Sequence, residues 1–227
     1  MPLINTVKTK LKALLISYFP NSEFARLMFY LPVIRKFDFS KSIYFNSRTE
    51  IYDYIYSELL HGLPISYLEF GVYEGESFYY WSKLNTNQNS EFIGFDTFTG
   101  LPENWMKIGS TMRKNHFDVK GKAPVITDRR CKFIKGLFQD TLPEFVETFV
   151  PKERLVIHND SDLYTSTLFT LVTLHKFLKK GTIIIFDEFC SPLHELRAFD
   201  DYTSSHLVNY RIICHTKNYI QVAVMIY

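Results

Sequence analysis

Four carboxylates fall in two short runs, Asn159-Asp-Ser-Asp162 and Asp187-Glu188, each directly behind an apolar, β-prone segment. If those segments are adjacent parallel strands, both runs emerge on one edge of the sheet. Asp160, Asp187 and Glu188 can then converge. Carboxylates crowded together repel unless a cation or a proton joins them. Hard oxygen ligands favour Mg2+ or Ca2+ over zinc, and Mg2+ is the expected ion. A cation there would lower the pKa of an acceptor hydroxyl, with Asp160 the candidate catalytic group. Asp162 reads differently, since it stands just before a helical pattern, where an aspartate can cap.

A second chemical signal is Tyr67-Leu-Glu-Phe-Gly-Val-Tyr-Glu-Gly-Glu-Ser77. It begins apolar, reaches Gly71, and turns at Gly75 into a helical pattern. In open α/β sheets ligands bind in the crevice at the carboxyl ends of the strands, and glycines let backbone approach a ligand closely. Three ligand classes compete for such a turn. A P-loop needs a Lys that this turn lacks. A dinucleotide site needs a third glycine, and Glu69, Glu74 and Glu76 would repel a pyrophosphate. The same acids suit a cationic, phosphate-free cofactor, S-adenosylmethionine. Asp96, about twenty residues beyond the turn and ending the next strand pattern, is the candidate ribose ligand. A nicotinamide-dependent oxidoreductase is the rival that the two-glycine acidic turn argues against.

These residues need elements to position them. The pattern predicts strands over 65–72, 91–97, 132–136, 154–159, 182–187, 209–215 and 219–226. Helices are predicted over 76–85, 141–149, 165–179 and 193–206, after a first helix over 47–60 capped by Ser47 or Thr49. Alternation of this kind means an α/β fold, a mostly parallel sheet with helices on both faces. The last two strands, joined by a turn at Lys217-Asn218, are too close for a crossover and must form an antiparallel hairpin. The stretch 99–128 is too long for a plain connector and reads as a lid carrying Trp105, Arg113, His116 and Phe117. Among the histidines, His158 reads as a core residue inside a strand, while His116 and His194 are better placed for catalysis.

The chain has 227 residues, 46% apolar and 22% charged, with a net charge of +2. That supports a globular core and demands neither nucleic acid nor an anionic membrane as partner. Aromatic residues reach 17%, which reads as a bulky core, with an aromatic-lined pocket or an oligomer contact as the sharper alternative. Three cysteines without a CxxC argue against a disulfide framework or zinc knuckle and fit a reducing cytoplasm. No apolar run is long enough to span a bilayer. Residues 7–19 read as a short cationic amphipathic helix within an N-terminal extension, 1–45, ahead of a catalytic domain, 46–227.

The residues also match a family. The sequence resembles the macrocin O-methyltransferase family of class I S-adenosylmethionine-dependent methyltransferases. The resemblance rests on the Tyr67–Ser77 stretch, Gly94-Phe-Asp-Thr-Phe-Thr-Gly-Leu-Pro-Glu103, Lys135-Gly-Leu-Phe-Gln-Asp-Thr-Leu-Pro143, Asp160-Ser-Asp-Leu-Tyr-Thr-Ser-Thr167, Gly181-Thr-Ile-Ile-Ile-Phe-Asp-Glu-Phe189 and His194-Glu-Leu-Arg-Ala-Phe199. It implies a Rossmann-like, seven-stranded sheet ending in the hairpin. It implies that Glu69, Gly71, Tyr73, Gly75 and Ser77 meet the methionine part of the cofactor, and Asp96 and Thr97 the ribose. Gly136 and Phe138 would lie near the adenine. Asp160 corresponds to a metal-binding aspartate of the family, with Asp187-Glu188 standing where antibiotic-tailoring members have two aspartates. The implied reaction is methyl transfer to a hydroxyl of a sugar, glycosylated metabolite or polysaccharide. A small-molecule or saccharide acceptor, and a homo-oligomer, are the partners to expect. The alternative is a binding module that holds S-adenosylmethionine or S-adenosylhomocysteine without chemistry.

Overall fold

The computed structural model describes residues 34–107 and 110–227; the helix expected over 7–19 lies outside them. The seven expected strands are β2 (Ile65–Phe70), β3 (Glu91–Asp96), β6 (Cys131–Lys135), β7 (Arg154–Asn159), β8 (Ile183–Phe186), β9 (Tyr210–His215) and β10 (Val222–Ile226). A two-residue strand, β1 (Ile43–Tyr44), adds to the edge, giving the order β1-β9-β10-β8-β7-β2-β3-β6. All pairs are parallel except those of β10, which runs antiparallel to β8 and β9. The final pair is thus the hairpin its short connection demanded.

Central strands are buried on both faces, so they read as apolar runs. Side chains alternate across the sheet and feed two separate cores. Leu68, Phe70, Ile157 and Ile184 join one core, with Phe138 and Leu142 of α3 (Phe138–Thr148), Leu171 of α4 (Tyr164–Thr173) and Phe199 of α5 (Glu195–Ser205). Ile65, Tyr67, Val156 and Ile185 join the other, with Ile51 and Tyr52 of α1 (Arg48–Tyr54) and Phe78 and Trp81 of α2 (Glu76–Leu84). Phe37 lies within the stretch 34–45 and packs on Phe189, Phe199 and Tyr210.

Several boundaries depart from the sequence pattern. Ser47 caps α1, accepting from the Glu50 N–H, but helical winding continues as a π-turn over Ile55–Leu60 before the left-handed His61. Pro143, which suits a first turn, stands inside α3, since the helix begins earlier than expected, at Phe138, where the Asp140 and Thr141 N–H groups bond the Leu137 carbonyl. The helix expected over 165–179 stops at Thr173 and passes into a 3-10 turn, His175–Phe177.

The stretch 99–128 is not structureless. It holds a small antiparallel hairpin of β4 (Trp105–Lys107) and β5 (Ser110–Met112). This hairpin lies at the carboxyl end of the sheet, where β2 passes to β3 on one side and neighbours β7 on the other. That reversal of strand order is where open α/β sheets place their ligands.

Candidate active site

A cavity of about 310 Å3 opens at this switch point, within the range of small-molecule sites. The ends of β2, β3, β7 and β8 contribute Gly71, Tyr73, Asp96, Thr97, Asp160, Asp187 and Glu188 to its wall; Phe138 of α3 joins them. Glu69, Gly75, Ser77 and Gly136 do not line it. Glu69 and Ser77 are buried behind the wall.

The glycine turn is built for backbone contact with the protein itself. Gly71 has φ +91, and a Cβ there would sit 1.9 Å from the Asp160 carbonyl oxygen. Its glycine is required so that β2 and β7 can end side by side. A Cβ on Gly75 would meet Pro124 at 2.8 Å, so this glycine seats the stretch 99–128. Asp96 secures the same turn. Its Oδ2 accepts the Val72 and Tyr73 N–H groups at 2.7 and 2.8 Å, and its Oδ1 accepts the Phe98 N–H at 2.7 Å. One lone pair on Oδ1 stays available to a ligand.

Beneath the turn lies a closed polar network. Glu69 accepts from the Tyr67 hydroxyl and from the Ser77 hydroxyl, the latter at 2.8 Å. Tyr67 also meets His158 Nδ1 at 3.0 Å, and Tyr52 meets Nε2 at 3.4 Å. Each oxygen of this buried side chain thus has a hydrogen-bond partner, as a buried polar group requires.

The acidic runs converge in part. One atom each of His158, Asp160 and Asp187 lie within 4.8 Å of one another. Glu188 turns toward the hairpin instead, 3.6 Å from Lys107 Nζ. So the cluster that can share an ion has a histidine where a third carboxylate was expected. His158 is the satisfied core residue that its place inside a strand suggested, buried in β7 and bonded by Tyr67 and Tyr52. Among the described residues no donor reaches the Asp160 carboxylate. Burial, then Asp187 beside it, pushes that carboxyl well above the usual range. Such a site demands a cation or a proton.

Asp162 does not cap α4. That helix starts at Tyr164 with Leu163 as its cap, and Asp162 is left-handed, with φ +61. It lines the cavity. Burial and Glu188 push its carboxyl up to about 8 against the opposing pull of Lys107. The Tyr164 N–H bonds His194 Nδ1 at 3.2 Å, and His194 Nε2 meets the Met106 carbonyl at 2.9 Å. Both ring nitrogens are committed, Nδ1 to the start of α4 and Nε2 to the hairpin, which argues against the catalytic expectation for His194. His116 is outside the cavity, stacked edge-on against Phe117. Of the four lid residues singled out, Trp105 and Phe117 line the cavity, whereas Arg113 and His116 do not. Sequence reasoning also missed Arg48, which lines the cavity from α1, and Glu195, whose two oxygens accept from Asn159 Nδ2 and the Glu188 N–H.

Strand order, hairpin and cavity together define the fold of the class I methyltransferases. The solved calicheamicin methyltransferase CalS11 superposes with a TM-score of 0.62 at 21% identity, covering 96% of this chain and 91% of that one. The O-methyltransferase NovP gives 0.60 at 20% identity over 78% of each chain. A CmcI structure described as Mg-SAM gives 0.52 at 15% identity, over 80% of this chain and 72% of that one. A search of curated protein sequences finds no match. Residues 68–189, more than half of the chain, match the family described as Methyltransferase domain. The protein belongs to that family and is a methyltransferase.

Proposed function

We propose that this protein is an S-adenosylmethionine-dependent O-methyltransferase of the macrocin O-methyltransferase type, acting on a hydroxyl of a sugar, glycosylated metabolite or polysaccharide. The observation that carries this reading is the cavity itself: five carboxylates, Asp96, Asp160, Asp162, Asp187 and Glu188, line it beside the glycine turn. That donor set fits a cationic, phosphate-free cofactor and repels a pyrophosphate. The nearness of Asp160 and Asp187 fits a hard divalent cation, with Mg2+ favoured and Glu188 the third candidate ligand. The domain would run from 46 to 227, with 1–45 as its N-terminal extension. The solved neighbours act in line with this reading: CalS11 is described as a TDP-rhamnose methyltransferase, and CmcI as Mg-SAM.

When bound, the cofactor supplies an electrophilic methyl on a sulfonium and the cation a Lewis acid that lowers the pKa of an oxygen. The chain's own residues do the rest. The turn Gly71–Gly75, backed by Glu69 and Ser77, shapes the methionine end of the cavity. Asp96 and Thr97 receive the ribose hydroxyls, and Phe138 bounds the adenine. Asp160, whose carboxylate oxygens carry no protein donor, accepts the acceptor's hydroxyl proton. The hairpin wall, with Trp105, Met112 and Phe117, excludes water and gives the acceptor an aromatic surface. Orientation of the two reacting atoms is the main contribution of the protein to rate.

Asp160→Asn keeps size and removes the charge. It is expected to lower methyl transfer by at least about 100-fold, in the usual range for a lost acid–base group, while S-adenosylhomocysteine still binds by calorimetry. Methyl transfer at the wild-type rate would overturn the role given to Asp160. Chelation by EDTA should silence the wild-type enzyme and added Mg2+ should restore it.

A further inference from the structure

Among the described residues that line the cavity, only Arg48 and Lys107 are cations. Lys107 is committed to the hairpin wall. Its ammonium lies 3.4 Å from the centroid of the Trp105 ring and 3.6 Å from Glu188. Arg48 is held differently. It opens α1 directly after the Ser47 cap, so its position is set by a helix start and not by a loop. Its Nη2 donates to Glu76 at 2.6 Å, and its Nη1 is 3.8 Å from Asp187, beyond a hydrogen bond. The Glu76 side chain is 84% exposed, and exposed ion pairs contribute little, about 0–1 kcal/mol. Arg48 therefore has a cheap partner that a better one can replace.

Glu76 heads α2 immediately after the glycine turn. The exchangeable bond thus lies where the turn meets the cavity, alongside Gly71 and Tyr73. S-Adenosylmethionine carries two cationic groups, the sulfonium and the α-ammonium, and one anion, the α-carboxylate. Acidic side chains dominate the cavity wall, so that one anion finds a favourable partner only where a cation meets it. A guanidinium binds a carboxylate through two parallel N–H bonds, which an ammonium does not.

On the methyltransferase reading above, we propose that Arg48 is the receptor for the α-carboxylate of the cofactor, exchanging Glu76 for it on binding. Arg48 then selects the intact amino-acid-bearing cofactor over fragments of it, and keeps part of the Asp187 charge balanced before the cofactor arrives.

The test compares two probes by isothermal titration calorimetry. S-Adenosylhomocysteine carries the carboxylate; 5′-methylthioadenosine keeps the adenosine and thioether and lacks the amino-acid part. Arg48→Ala and Arg48→Gln are expected to weaken S-adenosylhomocysteine at least about tenfold, the loss of one charge-assisted contact, and to leave 5′-methylthioadenosine within about twofold. Arg48→Lys should recover part of the lost affinity. Unchanged S-adenosylhomocysteine affinity in both neutral variants would overturn the assignment. An equal loss for both probes in the Gln variant would also overturn it, since a structural role weakens both alike. If the wild-type protein binds neither probe, the methyltransferase reading fails and takes this one with it; wild-type binding of both with indifferent variants sinks the Arg48 role alone.

Discussion

Glu195 shows how a single side chain positions the acidic edge without lining the cavity. It is fully buried, and burial pushes its carboxyl well above the usual range, with Asp162 adding to the effect. Its Oε1 accepts from Asn159 Nδ2 at 2.9 Å, and its Oε2 from the Glu188 N–H at 3.0 Å. The two bonds tie the end of β7 to the turn after β8, so they hold Asp160 and Asp187 side by side. Glu195→Ala leaves the Glu188 N–H unpaired and takes one bond from Asn159, which keeps Thr167. An orphaned buried polar group costs about 1–3 kcal/mol, and the variant should lose stability in that range. Equilibrium urea unfolding would show a lower midpoint at unchanged slope; an unchanged midpoint would mean that the loop holds itself.

The hairpin β4–β5 is the element whose behaviour should follow pH. His194 holds it through the Met106 carbonyl and cannot be protonated on Nδ1 without releasing the Tyr164 N–H. Burial keeps the imidazole below its ordinary value, against the raising effect of Met106 and Glu103 and with Arg197 and Lys107 also lowering it. The sign follows. The open or unfolded form takes the proton first, so the contribution of this contact is complete above about pH 6.5 and declines as the pH falls below it. Amide exchange of Met106 and Thr111, corrected for intrinsic rate, should be faster at pH 5.5 than at pH 7.5. In His194→Gln that difference should vanish. Equal pH dependence in both proteins would place the titrating group elsewhere.

At the scale of the whole molecule, ligand binding and folding are one equilibrium. The cavity is assembled from the ends of β2, β3, β7 and β8, so an unfolded chain cannot bind what the cavity holds. S-Adenosylhomocysteine at 100 times its Kd should stabilise the protein by about 2.7 kcal/mol. For a chain of this size that is a Tm rise of about 5–10 °C. NAD, with its pyrophosphate facing five carboxylates, should produce none. A shift with NAD alone would reverse the choice of cofactor. Among the described residues no helix is long and apolar enough to cross a membrane.

Strand runs, helix periods and the short final connection are local properties, and local sequence determined them: all seven expected strands form, and the last two pair antiparallel. The acids at 160, 187 and 188 and the glycine turn were legible for the same reason, since each ends a strand whose direction the alternation of elements dictates. Side-chain partners across the fold were not. Gly71 looked like room for a ligand, yet the atom it makes room for is the Asp160 carbonyl on a neighbouring strand. Asp162 looked like a helix cap, but its left-handed backbone turns it into the cavity. Glu188 left the acid cluster for Lys107, and His158 came into it. Arg48 carried no motif at all, because its meaning depends on α1 lying across the sheet beside Glu76 and Asp187. A strand can be read from its own residues because burial repeats along it. Charge balance in a cavity is a sum over groups from many strands and helices, and only the packed tertiary structure brings those groups within reach of one another.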